Sequence, residues 1–234
     1  MSTANLFQPF TCKSLTIPNR IVMAPMTRAF SPDGIPTEEM AKYYQRRAAA
    51  EVGLIISEGT GVDRPHAINE PGVPHFHGEA LPAWGRTVKA VHDVGGTMAP
   101  QLWHVGNVPL VSTPRETWHE CTDYEGPSGL RDPDTPVGKA MSDADIADVI
   151  TAFARAARDA QELGFDAVEL HGAHGYLIDQ FFWHETNRRT DGWGGDTLRA
   201  RASFAAELLC AVRSGRPRFP DHPAIVAVES AELR

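Results

Sequence analysis

The chain predicts a parallel α/β fold of the (β/α)-barrel kind, on three observations. Continuous apolar runs recur at residues 20–28, 53–59, 97–103 and 167–168, too unbroken for half-exposed strands and suited to strands buried on both faces. Amphipathic segments at helical spacing alternate with them, which favours parallel strands joined by helices. Each run ends in polar or small residues, and functional groups at strand C-termini are the habit of a barrel whose active site lies on that face. No G-x-G-x-x-G follows the first run, which counts against a dinucleotide-binding Rossmann domain.

Taken in order, residues 5–19 carry Leu6, Phe7, Phe10, Leu15 and Ile17, broken by Pro9 and Pro18, and read as a short hairpin or lid. The first strand follows and should stop near Pro25, which cannot donate to a ladder. Thr37 is placed to cap a helix, with Glu38 and Glu39 in its first turn and Met40, Tyr43, Tyr44 and Arg47 at helical spacing. The second strand ends at Gly59. A Pro- and His-rich loop then leads to a helix over residues 81–94, closed by Gly95 and Gly96. The third strand runs into Trp103 and His104. Residues 107–139 show little periodicity, and a loop that long inside a compact domain is usually functional. Ser142 and Asp145 form an S-x-x-D capping pattern ahead of Ile146, Val149, Ile150, Phe153, Ala157 and Ala160 on one helical face, which Gly164 ends. After the fourth strand and its loop, a last helix spans residues 196–213.

The bulk numbers exclude several classes. With 234 residues, 42% hydrophobic and 22% charged, the chain suits a globular protein of one large or two small domains. A net charge of −8 argues against nucleic acid or an anionic membrane as partner. No apolar run approaches the roughly 20 residues of a membrane span. The first nine residues lack the pattern of a secretory leader. Cys12, Cys121 and Cys210 are odd in number and widely spaced, which suggests a reducing compartment, the cytoplasm.

The richest chemistry lies in Glu169-Leu170-His171-Gly172-Ala173-His174-Gly175-Tyr176. Two imidazoles and a phenol, separated by small residues at a strand end, can converge on one small volume. Such a set suits a carbonyl that gains negative charge and then needs a proton. On these residues alone, ordinary loop histidines and a core tyrosine are an equal reading. A metal-dependent barrel hydrolase is also open, with His171 and His174 as ligands joined by Glu169 or His104.

Five segments together resemble the Old Yellow Enzyme family of FMN-dependent ene-reductases. They are residues 19–28 (NRIVMAPMTR), Tyr43-Tyr44 ahead of 53–58 (GLIISE), 101–106 (QLWHVG), 171–177 (HGAHGYL) and 187–195 (NRRTDGWGG), within a match over about residues 5–213. The resemblance implies the N-terminal half of a TIM (β/α)8 barrel with an N-terminal hairpin cap, formed by residues 1–213. It implies FMN at the strand C-termini, with Pro25, Met26 and Thr27 along the isoalloxazine, Gly59 allowing close approach and Gln101 bonding the pyrimidine portion. A ring with polar edges wants a small residue for approach and an amide that both donates and accepts. His171 and His174 would hold a substrate carbonyl oxygen, Tyr176 would give the proton, and Trp103 would line the pocket. NAD(P)H would be the reductant, and a small molecule with an activated C=C the substrate. Asn107 stands where the family usually has arginine. Residues 187–195 look structural.

The resemblance stops near Arg213. Residues 214–234 are basic and proline-laden at first, and are expected to form an irregular tail outside the family pattern. Read one nucleotide later, with suitable synonymous codons, residues 214–228 can spell A-V-G-P-D-F-P-I-I-L-R-S-S-Q-W, which is similar to the family's fifth strand. This suggests a one-nucleotide frameshift near Arg213 or Ser214. A barrel of eight units typically needs ~250 residues. An open four-strand sheet would leave two edges for self-association and hold FMN weakly or not at all. A non-catalytic half-barrel acting by association is the third reading.

Overall fold

The computed structural model describes residues 3–214 and the backbone of 224–226. A 3₁₀ turn leads into an antiparallel hairpin of β1 (Phe10–Cys12) and β2 (Leu15–Ile17). Then come β3 (Val22–Met23), α1 (Glu38–Ala49), β4 (Leu54–Gly61), α2 (Leu81–His92) and β5 (Met98–Trp103). An excursion carries β6 (Glu125–Gly126), β7 (Leu130–Asp132), β8 (Thr135–Pro136) and β9 (Lys139–Ala140). The chain returns through α3 (Asp143–Glu162), β10 (Ala167–Leu170), α4 (Leu177–Phe182), α5 (Leu198–Arg201), α6 (Ser203–Ser214) and β11 (Ala224–Val226). The main sheet has the order β11-β10-β5-β4-β3, every pairing parallel.

Side-chain alternation divides this sheet cleanly. Ile55, Met98, Leu102, Val168 and Leu170 join the large cluster built with Tyr44, Trp84, Val88, Phe153 and Phe204 of the helices. Leu54, Ala99 and Ala167 point the other way and pack with Leu15 and Ile17 of the hairpin. The hairpin therefore covers the starts of three strands on the face away from the helices. Farther along that face the register sets Gly59, Gln101 and Glu169 side by side, then Gly61 beside Trp103.

A bulge makes that layer. Ile56 pairs with Ala99 but Gly59 pairs with Gln101, so β4 spends one more residue than β5 over the interval. In unbroken register Glu58 would lie opposite Gln101. The extra residue turns Glu58 toward α1, where its N–H donates to the Tyr44 hydroxyl at 2.8 Å, and brings Gly59 to the inner face. The Gln101 N–H donates to Ser57 Oγ at 3.1 Å.

Several elements depart from the sequence reading. The first strand is two residues long and Val22 is 45% exposed, because among the described residues β3 is an edge strand paired only with β4. The segment 107–139 is not structureless: β6 pairs with β9 and β7 with β8, each strand too short for side-chain periodicity to register. The last helix is split into α5 and α6, and Thr197 caps it at Ala200 N–H. Helix α4 escaped notice because its six residues are almost all apolar or buried. Among the described residues the sheet has five strands, not four. Within the tail expected to be irregular, Ala224–Val226 lie parallel to β10; the rest of 215–234, with the frameshift reading, falls outside the described residues. Helix α3 has the predicted capping box, Ser142 Oγ accepting from Asp145 N–H and the Asp145 carboxylate accepting from Ser142 N–H.

Candidate active site

Four aromatic rings meet above the C-terminal ends of β5 and β10. The His171 and His174 centroids are 5.1 Å apart, His171 and Tyr176 5.2 Å, Trp103 and Tyr176 4.9 Å, and Trp103 and His171 6.0 Å. Chain geometry holds them there. His171 N–H donates to Leu102 O at 3.0 Å, continuing the ladder one residue past β10. His174 takes a left-handed conformation (φ 62°), followed by Gly175 (φ 71°), so the chain reverses and returns Tyr176 to the same volume. Asp179 accepts from Gly175 N–H at 2.8 Å, and Gln180 Nε2 donates to Gly175 O at 2.7 Å, fastening the turn to α4.

Burial tunes these groups. Desolvation, with the nearby His174 second, lowers His171 to about 4, so its imidazole is neutral at pH 7 and offers an N–H without charge. The Tyr176 phenol is raised, mainly by burial, and keeps its proton; Arg131 and Asn69 beside it pull the other way. His174 is exposed.

The residues expected at a flavin fall into two groups. Gly59, Gln101 and Trp103 belong with the ring cluster. A Cβ built on Gly59 would lie 2.7 Å from Trp103 Cε3 and 3.3 Å from Gln101 Oε1. The missing side chain thus seats the indole and the amide, in addition to any approach by a ligand. Trp103 Nε1 is buried and has no hydrogen-bond partner among the described residues. Pro25, Met26 and Thr27 continue past the end of β3, Met26 being 53% exposed and Thr27 exposed as well. They are placed through Glu58, which is fully buried. Its Oε2 accepts from Arg28 N–H at 3.1 Å and Ala29 N–H at 3.2 Å, and its Oε1 from the Arg28 guanidinium at 3.0 and 3.2 Å. Tyr43 lies between two guanidinium groups, Arg28 at 3.7 Å and Arg47 at 3.4 Å from its centroid.

This set fits a flat ring with a polar edge. Adjacent parallel strand ends supply an exposed hydroxyl, an exposed thioether and a buried amide, with a fourth strand carrying the imidazoles. The hydrolase alternative needed a third ligand beside His171 and His174. Among the described residues no group of three or more His, Cys, Asp or Glu side chains could hold a metal ion.

The excursion is tied down by a second polar cluster. Arg64 bonds both Glu125 oxygens, at 2.6 and 2.8 Å, and Asp145 at 2.9 Å. Burial alone would raise Glu125; Arg64 and the nearby His104 outweigh it and bring Glu125 down to about 2. His104 is fully enclosed, accepts from Gly106 N–H at Nδ1, and is lowered chiefly by desolvation. Asn107 serves the same junction, with Nδ2 donating to Val137 O and its N–H to Gln180 Oε1. Residues 187–195 hold the chain together as expected. Asn187 Nδ2 donates to Phe181 O and Trp193 O, and Arg189 reaches Pro127 O and Met141 O.

Three residues of the site went unnoticed in the sequence. Glu58 was legible only as part of a strand, and its role depends on the bulge. Asn69 and Arg131 come from irregular or short segments with no periodicity to point them inward.

Residues 5–215 match the NADH:flavin oxidoreductase / NADH oxidase family. The chain is 37% identical over 221 residues to 12-oxophytodienoate reductase 1 of Oryza sativa subsp. japonica, covering 88% of this chain and 54% of that one. Morphinone reductase in complex with tetrahydroNAD superposes with a TM-score of 0.79 at 34% identity, covering 90% of this chain and 60% of that one. Old Yellow Enzyme from Pichia sp. AKU4542 gives 0.79 at 31%, covering 90% and 56%. The chain thus spans about half the length of the curated relatives it matches. The family match over residues 5–215, with these Old Yellow Enzyme-type relatives across about nine-tenths of the chain, establishes that this protein belongs to the NADH:flavin oxidoreductase / NADH oxidase family.

Proposed function

We propose that this site reduces the C=C bond of an α,β-unsaturated carbonyl compound with FMN as cofactor and NAD(P)H as reductant. The observation that carries the reading is the ring cluster. The His171 ring lies 5.1 Å from that of His174 and 5.2 Å from that of Tyr176, and Trp103, beside Gln101 at Gly59, adjoins them. FMN, when bound, supplies hydride chemistry that no side chain here can perform. Thr27, Met26, Pro25, Gly59 and Gln101 would hold its ring. His171 and His174 bind the carbonyl oxygen and stabilise the negative charge that gathers there, His171 as a neutral donor. Tyr176 keeps its proton at neutral pH and delivers it to the α-carbon. Trp103 packs against Tyr176 and fixes its direction.

We read the sheet as half of a (β/α)8 barrel with the hairpin as its floor. The reading is tested by reduction of cyclohexenone with NAD(P)H under saturating FMN. Tyr176→Phe should lower the rate at least about 10²-fold, the lower end for loss of a general acid. No FMN-dependent reduction by the wild type, or full activity in Tyr176→Phe, refutes it.

A further inference from the structure

Arg131 is an arginine whose donors are only partly used within the described residues. It lies on β7, in the excursion that folds over the strand ends. Its Nη1 comes within 3.4 Å of where a Cβ on Gly175 would stand, between His174 and Tyr176. Its charge acts on the Tyr176 phenol. Its side chain is 24% exposed, and its Nε is buried with no hydrogen-bond partner among the described residues. The carboxylate facing it, Asp132, stands 3.4 Å from Nη1, at the long end for such a bond, and is shared with Arg115 at 3.7 Å. A guanidinium presents five donors in a planar fork, and this one leaves a buried donor unused at the edge of the candidate site.

From this geometry we infer that Arg131 selects substrates that carry a carboxylate on a short arm from the α-carbon. The inference rests on the reading of the site as an ene-reductase. With the carbonyl oxygen at His171 and His174 and the α-carbon at Tyr176, a substituent on that carbon is the part of the substrate that reaches β7. A carboxylate there meets the fork in the two-pronged manner that suits arginine, and satisfies Nε. A neutral ester of the same shape leaves that donor unpaired and the charge uncompensated.

The test uses three probes with the full chain under saturating FMN: cyclohexenone, cyclohexenone with a carboxymethyl group on its α-carbon, and the methyl ester of that acid. Affinity is read by titration calorimetry and by quenching of tryptophan fluorescence, so turnover is not required. The acid should bind the wild type at least about tenfold more tightly than the ester, in line with one charge-assisted pair. The preference should shrink with added salt. In Arg131→Met it should fall to about onefold, and in Arg131→Lys part should return, because a point charge keeps attraction and loses the fork. An unchanged acid-to-ester ratio in Arg131→Met, with a native near-ultraviolet spectrum, overturns the inference alone. If cyclohexenone itself fails to bind, or binds equally well to His171→Ala, the ene-reductase reading falls and takes this inference with it.

Discussion

Replacing Arg28 with methionine tests how the segment that carries Pro25, Met26 and Thr27 is held. Glu58 is wholly buried, and its carboxylate has four donors: Arg28 Nε and Nη2 on Oε1, and the N–H groups of Arg28 and Ala29 on Oε2. Methionine keeps much of the side-chain bulk but removes both guanidinium donors. Breaking a buried ion pair from one side typically costs 3–5 kcal/mol, because the remaining charge stays enclosed. Two backbone donors remain here, so the cost belongs at the lower end, about 3 kcal/mol. With a urea dependence of about 2–3 kcal/mol per molar, the unfolding midpoint should drop by about 1 M. Glu58→Gln in the same chain removes the stranded charge, so the double variant should regain part of that loss. Urea unfolding followed by circular dichroism reads all four corners of the cycle. A loss below about 0.5 kcal/mol in Arg28→Met, or a double variant less stable than Arg28→Met, refutes the reasoning.

Other outcomes follow from the same geometry. Gly59→Ala places a methyl 2.7 Å from Trp103 Cε3, so the indole must move; its near-ultraviolet signal should change and FMN affinity should fall. An unaltered spectrum would show that the indole has room to spare. Acid should act in two steps. His171 titrates at about 4 in the fold against 6.5 unfolded, so the unfolded chain takes the proton first, and stability present above pH 6.5 is lost between 6.5 and 4. Glu125, at about 2 against 4.5, keeps its contribution above pH 4.5 and loses it toward pH 2. His171→Asn should flatten the upper step in urea midpoints taken across that range; an undiminished slope would assign the step elsewhere. The gene's nucleotide sequence settles the frameshift reading, which requires the shifted frame after Arg213 to spell the apolar fifth strand.

Much of the ring cluster was legible because its residues sit close in sequence. His171, His174 and Tyr176 lie within six positions, and the glycine between the last two permits the turn that joins them. The strands from residue 53 onward were legible from continuous apolar runs, since both faces of β4, β5 and β10 are buried. Three features were not legible, each for its own reason. The β4 bulge has no signature in Ile56-Ser57-Glu58-Gly59, and only the pairing with β5 shows Glu58 turning away. Val22 and Met26 are as apolar as any core residue, yet one lies on an edge strand and the other beyond its end, and both are exposed; composition cannot tell an edge from a centre. Strands of two or three residues in the excursion are shorter than one useful period of side-chain alternation, so Arg131 could not be placed.

In the proposed function the ends of β3, β4 and β5 hold a flavin ring beside the imidazole pair. Titration of FMN into the purified chain, read by quenching of flavin fluorescence, tests this most directly. Quenching should be saturable, its affinity should fall about tenfold in Gln101→Leu, which loses the amide's hydrogen bonds worth about 1.5 kcal/mol, and an added enone should change the signal in the wild type but not in His171→Ala. Wild-type FMN that stays unquenched at any concentration, or quenching indifferent to Gln101, would contradict it.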